Sequence, residues 1–382
     1  MKAAAALVPK LRENAMRVDH DRRLTEENIE ALTSIGFYRS LIPRAYGGYE
    51  LDLPTMSRVL TELGSGCPST GWVSATAAVS GWMAGHLPAS AQEEIFSTPD
   101  VRVCGSFTPL ATLEKKGGSY LLNGRWPYNT GCLHAHWDLV IARDPSAPPP
   151  NQLKLCAVPM SSLTIEDDWH TYGLRGTGSC TTIASDVLVP PDRVIDVASF
   201  MAGTSEDTHS SYETPLFDLP TWPVFVVTSV SVPPGIARWA LELFSERVKG
   251  RPITYTTHAD QRLVASAHFA AAEAAVRIDA AQQLVSNLAD EVWRMTSEGR
   301  LPDRLQRQRI RANGGYSTEL ARSAVQIVSA ESGASSIRSD SLTQLLFRDM
   351  QALSMHAGIN VTSMLESYGR VLFGLDPVTI FE

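Results

Sequence analysis

The chain has 382 residues, 44% of them apolar and 19% charged, which provides enough apolar sequence for a large buried core. Its formal net charge of -8 argues against nucleic acid as a partner, because phosphate binding needs clustered lysine and arginine. The five cysteines are widely spaced and form no CxxC pair, which favours a reduced, cytoplasmic protein over a disulfide framework or a zinc site.

Residues 1–102 are predicted to form an N-terminal helical domain. Apolar residues recur there at helical spacing, for example at Met56, Val59 and Leu63. The weakly charged stretch from Ser69 to Leu87 is about as long as a membrane span, but it is rich in Ser, Thr and Gly and is bracketed by prolines. A buried helix is the better interpretation, and no membrane contact is expected.

Residues 103–212 are predicted to form a central β domain, and residues 213–382 a C-terminal helix bundle. Short runs such as SYLLNG, WDLVIA and KLCAVP are separated by Gly, Pro, Asn and Asp, which is typical of strands joined by turns. The stretch from Thr254 to Glu298 contains neither Gly nor Pro, which indicates a long helix. Strands confined to the middle third exclude βαβ architectures and predict a mainly α fold with a central β domain.

Several common catalytic motifs are missing from the sequence. GSGCPS at Gly64 and GTGSCT at Gly176 lack the third glycine and the βαβ unit of a dinucleotide site, so a bound nicotinamide is not expected. There is no P-loop, no HExxH and no GxSxG. The nine histidines are scattered without metal-ligand spacing, so no metal is expected.

Three stretches resemble the acyl-CoA dehydrogenase superfamily. Residues 105–140 (GSFTPLATLEKKGGSYLLNGRWPYNTGCLHAHWDLV) resemble its flavin-contacting β region. Residues 173–194 (GLRGTGSCTTIASDVLVPPDRV) resemble the motif that closes the β domain, and residues 333–358 (GASSIRSDSLTQLLFRDMQALSMHAG) the last active-site helix. The resemblance implies an N-terminal helical domain, a small β domain and a C-terminal four-helix bundle.

Within that superfamily, GSFTP, GRWPYNTG and GLRGTGS are more similar to flavin-dependent monooxygenases such as hydroxyphenylacetate hydroxylase, the steroid-ring phenol hydroxylase and dibenzothiophene monooxygenase. A dehydrogenase needs a carboxylate base for the α-proton of an acyl-CoA. The two positions at which the superfamily places this Glu carry Ala357 and Val248 instead, and His356 stands beside the first.

The resemblance therefore implies the oxygenase component of a two-component monooxygenase. Such an enzyme takes FMNH2 or FADH2 from a separate flavin reductase and, with O2, oxygenates a small aromatic or polycyclic metabolite through a flavin C4a-hydroperoxide. Three alternatives stay open. They are a nitrososynthase-like N-oxygenase of an amino sugar or other amine, an acyl-CoA dehydrogenase, and a degenerate member that acts only as a binding subunit.

The resemblance also assigns site residues. Ser106 is expected near flavin N5 and His356 is expected to deprotonate the substrate, because imidazole titrates near the operating pH. The other expected flavin contacts are Trp72, Phe107, Thr108, Asn129, Thr130 and Ser179. Trp72 is equally well interpreted as a core tryptophan. If these assignments hold, Ser106 and His356 open onto one apolar cavity.

Further assignments concern the substrate and neighbouring subunits. Ser80 is predicted to lie in the substrate pocket, where the hydroxyphenylacetate enzymes carry a second histidine, and His86 is out of phase with that position. This departure disfavours a simple phenol as substrate. Arg247 and Arg251 resemble the arginine that approaches the flavin phosphate of a neighbouring subunit, or they are exposed helix-end cations. Shared flavin sites imply a homotetramer. A salt bridge is expected between Arg348 and the adjacent Asp349.

Overall fold

The N-terminal part of the chain is helical. The computed structural model describes residues 1–108, 110–202 and 214–379. Its first helices are α1 (Lys2–Asp21), α2 (Glu26–Ser34), α3 (Leu53–Gly66), α4 (Pro68–Ala84) and α5 (Ala89–Phe96). Local sequence sets where they begin: the side chains of Thr25 and Asp52 accept backbone N–H groups in the first turns of α2 and α3, and Pro68 opens α4.

Helix α4 is the buried helix predicted for the weakly charged stretch. It is buried on nearly all sides, and it contacts α3, α7 (Thr221–Val230) and the first strand of the sheet. This central position lets one face of α4 take part in a site at the junction of helices and sheet. The prediction of a buried helix instead of a membrane span is confirmed.

The described residues of the middle region form one eight-stranded sheet. Its strands are β1 (Val103–Ser106), β2 (Ala111–Lys116), β3 (Ser119–Trp126), β4 (Trp137–Arg143), β5 (Leu153–Pro159), β6 (Thr164–Glu166), β7 (Thr181–Val189) and β8 (Val194–Asp196). The order is β6-β7-β3-β2-β4-β5-β8, with β1 paired in parallel to β4. Ser106 ends β1 opposite Val140. The predicted strands are confirmed, as is a mainly α fold around a central sheet.

The chain then returns to helices. They are α6 (Val197–Ala202), α7, α8 (Val232–Arg247), α9 (Ala265–Ser297), α10 (Arg304–Glu331), α11 (Leu342–Ser354) and α12 (Val361–Leu372). The stretch Thr221–Arg247 is long and apolar enough to cross a membrane, but 89% of its apolar window is buried inside the protein. It therefore belongs to the core.

Helix α9 begins later than predicted. Residues 254–264 form turns, because Asp260 accepts the backbone N–H groups of Gly250 and Arg262, and the Thr256 hydroxyl donates to the carbonyl of Ile253. Such side-chain bonds to the backbone compete with helix formation. The predicted domain boundary at residues 102–103 falls between α5 and β1, and the one at 212–213 lies outside the described residues. Both boundaries stay predictions.

Candidate active site

A small cavity of about 50 Å3 lies where the sheet meets the helices. Helix α4 contributes Val79 and Met83 to its wall, and the turn after β1 contributes Phe107. Trp222 and Phe225 of α7 lie on another side, with their rings stacked at a centroid distance of 5.1 Å. The remaining lining residues come from β4, β5, α6 and Thr221. The wall is apolar and aromatic.

His356 follows the end of α11 and lies beside Phe225, one of the lining residues. Its ring lies 5.0 Å from the ring of Trp72 and 6.0 Å from the ring of Phe225. A Cβ atom at Gly358 would lie 2.4 Å from the Phe225 ring, so glycine is needed there for Phe225 to pack against the backbone beside His356. The cavity and the imidazole are therefore in contact through Phe225.

The protonation of His356 follows from its surroundings. The ring is surrounded by protein, and burial lowers its pKa to about 4, yet much of its surface stays open. Its Nδ1 accepts the backbone N–H of Gly358 at 3.1 Å. In the neutral ring the proton is then on Nε2.

Ser106 lies at the sheet side of the same site. It is buried, and its hydroxyl donates to the backbone carbonyl of Pro127 at 3.1 Å. The neighbouring Phe107 lines the cavity. Because its proton is engaged by Pro127, the Ser106 oxygen can accept a hydrogen bond from another group. Phe107 and Phe225, the neighbours of Ser106 and His356, both line this cavity, whereas Ser106 and His356 are not among its described lining residues. The expectation that Ser106 and His356 open onto one cavity stays a prediction.

Three hydroxyls form a chain at the edge of the sheet. The Thr130 and Ser179 oxygens are 2.9 Å apart, and the Thr177 and Ser179 oxygens 2.7 Å apart. Gly178 between them has a φ of 53°, in the left-handed region that glycine adopts easily. These turns bring the motifs GRWPYNTG and GLRGTGS together, although they are distant in sequence.

Asn129 lies beneath this hydroxyl chain. Its amide donates to Asp138 at 2.6 Å and to Thr182 at 2.9 Å, and its side chain is fully buried. Asp138 also accepts hydrogen bonds from Thr182 and from the thiol of Cys104. Burial raises the pKa of Asp138 to about 6. The network fixes the turn that carries Thr130.

The GLRGTGS loop is also attached to the helix that leads to His356. The Asp349 carboxylate accepts the backbone N–H of Leu174 at 2.7 Å, and a Cβ atom at Gly173 would lie 2.3 Å from the carbonyl oxygen of Arg348. The predicted salt bridge between Arg348 and Asp349 is wrong. Arg348 instead donates to Asp19 of α1 at 3.1 Å, because adjacent helical residues point in different directions.

The other predicted residues lie in different surroundings. Trp72 is buried and contacts His356. Ser80 is buried in α4 next to the lining residue Val79. Thr108 is exposed. His86 is buried among aromatic rings, with its two ring nitrogens near the carbonyls of Trp82 and Phe217, so it has a role in packing.

Arg247 and Arg251 lie together at the end of α8. Both guanidinium groups donate to the backbone carbonyl of Ser332 and to the hydroxyl of Ser335. These hydrogen bonds satisfy the Ser332 carbonyl just after α10. The C-terminal end of a helix favours nearby cations because the helix dipole is negative there. The predicted contact with a flavin phosphate of a neighbouring subunit stays a prediction.

Sequence reasoning missed several important positions. Trp222 and Phe225 stand in a uniformly apolar helix, and only the fold brings them to the cavity. Asp138 and Asp349 are acidic residues in buried segments, which is unusual enough to have been a signal.

Comparison with known proteins identifies the family to which this chain belongs. The acyl-CoA dehydrogenase N-terminal and C-terminal domain models match residues 2–95 and 227–361. The flavin-dependent monooxygenase oxygenase subunit HsaA of Rhodococcus jostii (strain RHA1) is 31% identical over 99% of both chains. The chain belongs to this family of flavin-dependent oxygenase subunits, built on the acyl-CoA dehydrogenase fold.

The descriptions of two further relatives of this oxygenase subunit include a reduced-flavin cofactor. The FADH2-dependent resorcinol hydroxylase oxygenase component of a Rhizobium species (strain MTP-10005) is 29% identical over 98% of this chain and 93% of its own. XiaF from a Streptomyces species, solved in complex with FADH2 and glycerol, has a TM-score of 0.91 and 29% identity, and the match covers 100% of this chain and 96% of that one. The predicted fold, enzyme class and reduced-flavin dependence are confirmed.

The residues of this oxygenase subunit fit a flavin. An isoalloxazine is a flat aromatic system with polar edges, so it needs apolar contacts together with neutral hydrogen-bonding groups. Trp72 and Phe107 offer the former, and Ser106, Thr130 and Ser179 the latter. The two positions at which a dehydrogenase would carry its Glu are occupied by the buried Val248 and by Ala357 next to His356.

Proposed function

We propose that this oxygenase subunit uses reduced FMN or FAD, delivered by a separate reductase, and O2 to oxygenate a small aromatic or polycyclic metabolite. The observation that carries the proposal is a neutral imidazole, His356, beside an apolar aromatic cavity in which both dehydrogenase carboxylates are missing. The hydroxylase names of the relatives, including the resorcinol hydroxylase, support an aromatic substrate.

Reduced flavin, when bound, supplies the two electrons that O2 activation requires. Ser106 would accept a hydrogen bond from an N–H group of the ring, since its own proton goes to Pro127. Thr130 and Ser179 would bind polar edges of the cofactor, and Trp72 and Phe107 would contact its apolar surface. Asn129 would act by positioning Thr130, because both of its amide donors are used inside the protein.

The protein also has to keep water from the reacting oxygen. The stacked rings of Trp222 and Phe225, with Val79 and Met83 opposite, present apolar surface that does not hold ordered water. A dry wall strengthens each hydrogen bond made inside it. The only side-chain hydroxyl among the described lining residues belongs to Thr221.

His356 would act on the substrate as a hydrogen-bond donor. The Gly358 N–H donates to Nδ1, so the neutral ring carries its proton on Nε2, which would donate to a substrate hydroxyl oxygen. Donation of this kind stabilises the phenolate form, which is the more nucleophilic one. To act instead as the base predicted from the sequence, the ring would have to give up the Gly358 bond.

Two substitutions of His356 separate these roles. We expect His356→Gln, which keeps a donor but has no basic nitrogen, to retain most product formation, and His356→Ala to lose about 10–100-fold, as a lost hydrogen bond to a charged oxygen costs about 1.5–3 kcal/mol. The measurement is incorporation of labelled O2 into resorcinol, 2-naphthol and indole, with FMNH2 or FADH2 added anaerobically before oxygen. Equal loss in both variants would indicate the base.

The same measurement tests the proposed function. Incorporation of one labelled oxygen atom into an aromatic product supports it. Bleaching of bound oxidised FAD by an acyl-CoA would instead indicate a dehydrogenase, and an amine as the only oxygenated compound would indicate an N-oxygenase. A chain that binds no flavin would be a binding subunit.

A homotetramer and a cytoplasmic location complete the proposal. Exposed apolar residues on α9, Phe269 and Val276, are 74% and 68% accessible and lie two helical turns apart on one face. The five cysteines are free and buried, as suits a reducing compartment. Light scattering that gives the mass of one chain would contradict the tetramer.

A further inference from the structure

Three of the five cysteines lie together beside the turns that carry the hydroxyl chain. Cys104, Cys132 and Cys180 form one buried cluster, and the half-buried side chains of Met160 and Trp169 pack against it. Cys132 is the residue directly after the motif GRWPYNTG, and Cys180 is the residue directly after GLRGTGS. Folding therefore brings a cysteine from the end of each motif into the same cluster.

Cys132 and Cys180 contact each other across the two turns. The Cys132 sulfur lies 3.7 Å from the backbone carbonyl oxygen of Cys180 and 3.5 Å from that of Gly178. The Cys180 carbonyl also accepts the backbone N–H of Asn129 at 3.3 Å. Because backbone and side-chain contacts join the same two turns, the two cysteines are held as neighbours.

The two thiols differ in acidity. The Cys132 thiol donates a hydrogen bond to the Cys180 thiolate, which lowers the pKa of Cys180 and raises the pKa of Cys132. The backbone N–H of Trp169 also lowers the pKa of Cys180, whereas burial and the nearby Asp167 and Asp168 oppose this shift. The thiolate is the nucleophilic form of cysteine. Cys180 is therefore the attacking sulfur of the pair, and Cys132 is the protonated thiol beside it.

The other cysteines lack this arrangement. The Cys104 thiol donates to Asp138 at 3.4 Å, and burial together with the Asp138 charge raises the pKa of Cys104 well above its ordinary value. Burial also raises the pKa of Cys156 to about 12 and that of Cys67 to about 11. Buried thiols of this kind stay protonated and react slowly.

We propose that Cys180 and Cys132 form a peroxide-reactive pair that closes a disulfide between the two turns. The Cys180 thiolate attacks one oxygen of hydrogen peroxide, the O–O bond breaks, and the released hydroxide takes up the thiol proton to give water. The Cys132 sulfur then attacks the resulting sulfenic acid, and the second water leaves with the Cys132 proton. Two thiols and one peroxide thus give one disulfide and two waters, with sulfur oxidised and peroxide reduced.

The inference rests on the proposed function for the source of the peroxide. Hydrogen peroxide is the product of O2 reduction by a reduced flavin when no substrate takes up the oxygen. A disulfide requires the two sulfurs to approach to about 2.05 Å, which moves the turns that carry Thr130 and Ser179. These hydroxyls are expected to contact the flavin, so oxidation lowers flavin affinity and stops turnover that lacks substrate.

Peptide mapping of the full-length protein tests the disulfide without flavin. The protein is reduced, freed of reductant, treated with hydrogen peroxide and then unfolded in the presence of an alkylating reagent. We expect two of the five thiols to be lost, and a single cross-linked peptide that joins Cys132 to Cys180. No loss of thiols, or a link that involves another cysteine, would overturn the inference.

Three variants test the role of each sulfur. Cys132→Ser should stop at the first step, so that Cys180 accumulates as a sulfenic acid that dimedone labels. Cys180→Ser should leave the other four thiols unreacted. Cys156→Ala, an exchange in a separate cluster of the sheet, should form the cross-linked peptide as the wild type does. Equal dimedone labelling of Cys104 and Cys180 in Cys132→Ser would contradict the assigned roles.

Flavin affinity keeps this inference distinguishable from the proposed function. Anaerobic titration with FMNH2 and FADH2 should show at least about tenfold weaker binding after peroxide treatment of the wild type, with recovery in dithiothreitol, and no change in treated Cys180→Ser. A disulfide that leaves both affinities unchanged would refute the effect on the site. Labelled oxygen in an aromatic product without any cross-linked peptide would refute the cysteine pair and leave the oxygenase intact. A cross-linked peptide without an oxygenated product would refute only the oxygenase.

Discussion

The two sides of the active site are held in different ways. On the sheet side, Asn129, Thr130 and Ser179 are fixed by hydrogen bonds of 2.6–2.9 Å. On the helix side, Val79 is held by apolar packing, and the Trp222 ring stacks on Phe225 with the Arg311 guanidinium 4.9 Å from its centroid. Hydrogen bonds require direction and distance, whereas apolar packing tolerates exchanges of similar volume. The side expected to bind the cofactor is therefore rigid, and the side expected to bind substrate can vary.

The largest effect is expected at the centre of the sheet-side network. Asp138→Ala would remove the acceptor of one Asn129 N–H, of the Thr182 hydroxyl and of the Cys104 thiol, all of them buried. We expect a loss of about 3–5 kcal/mol in the free energy of unfolding, measured by urea denaturation.

The helix side provides the matched comparison. Val79→Ala removes two methyl groups from the buried cavity wall and should lower the free energy of unfolding by about 1–2 kcal/mol. We expect it to change the affinity for 2-naphthol but to change the affinity for flavin little. If the two substitutions destabilised the protein equally, the contrast between the two sides would be wrong.

A smaller effect is expected where the sheet-side loop meets α11. Asp349→Ala would leave the Leu174 N–H without its acceptor, at a cost of about 1–3 kcal/mol, and should weaken reduced-flavin binding because the GLRGTGS loop loses its attachment. Asp349→Asn keeps an acceptor oxygen and serves as the control. Equal flavin affinity in the wild type and Asp349→Ala would show that this attachment does not position the loop.

The difference in unfolding free energy between the wild type and Asp349→Asn should also depend on pH. Burial raises the pKa of Asp349 from 3.8 to about 7, so between those values the folded state binds more protons than the unfolded state. The stability contributed by this group is present at low pH and is lost as pH rises through about 7. The unfolding free energy of the wild type minus that of Asp349→Asn should therefore decrease from about pH 5 to about pH 8. A constant difference would contradict the raised pKa.

The smallest effect concerns a single hydroxyl. Thr130→Val keeps the volume but removes the hydrogen bond to Ser179, so we expect a cost of about 0.5–1.5 kcal/mol and a flavin affinity reduced severalfold. The same exchange at the exposed Thr112 of β2, which is not an expected flavin contact, should change stability and flavin affinity little. Equal flavin affinity in both variants would remove Thr130 from the predicted cofactor contacts.

Sequence reasoning reached the architecture and the motif-bearing loops because both depend on local patterns. The strands at SYLLNG, WDLVIA and KLCAVP and the buried α4 follow from residue periodicity and turn residues. The prediction of helix over residues 254–264 was wrong because side-chain bonds at Thr256 and Asp260 compete with the helix. The absence of Gly and Pro does not reveal such bonds.

By itself the sequence determined the order of helices and strands, the loss of both dehydrogenase carboxylates and the absence of cations between Arg193 and Arg238. Only the tertiary structure decided that Phe225 lies between His356 and an uncharged cavity. It also decided that the Gly358 N–H donates to Nδ1 of His356, and that Asp349 accepts a hydrogen bond from Leu174 in a loop distant in sequence. Residue type and periodicity are local properties of a chain. The protonation of a ring and the polarity of a cavity depend on groups that folding brings together.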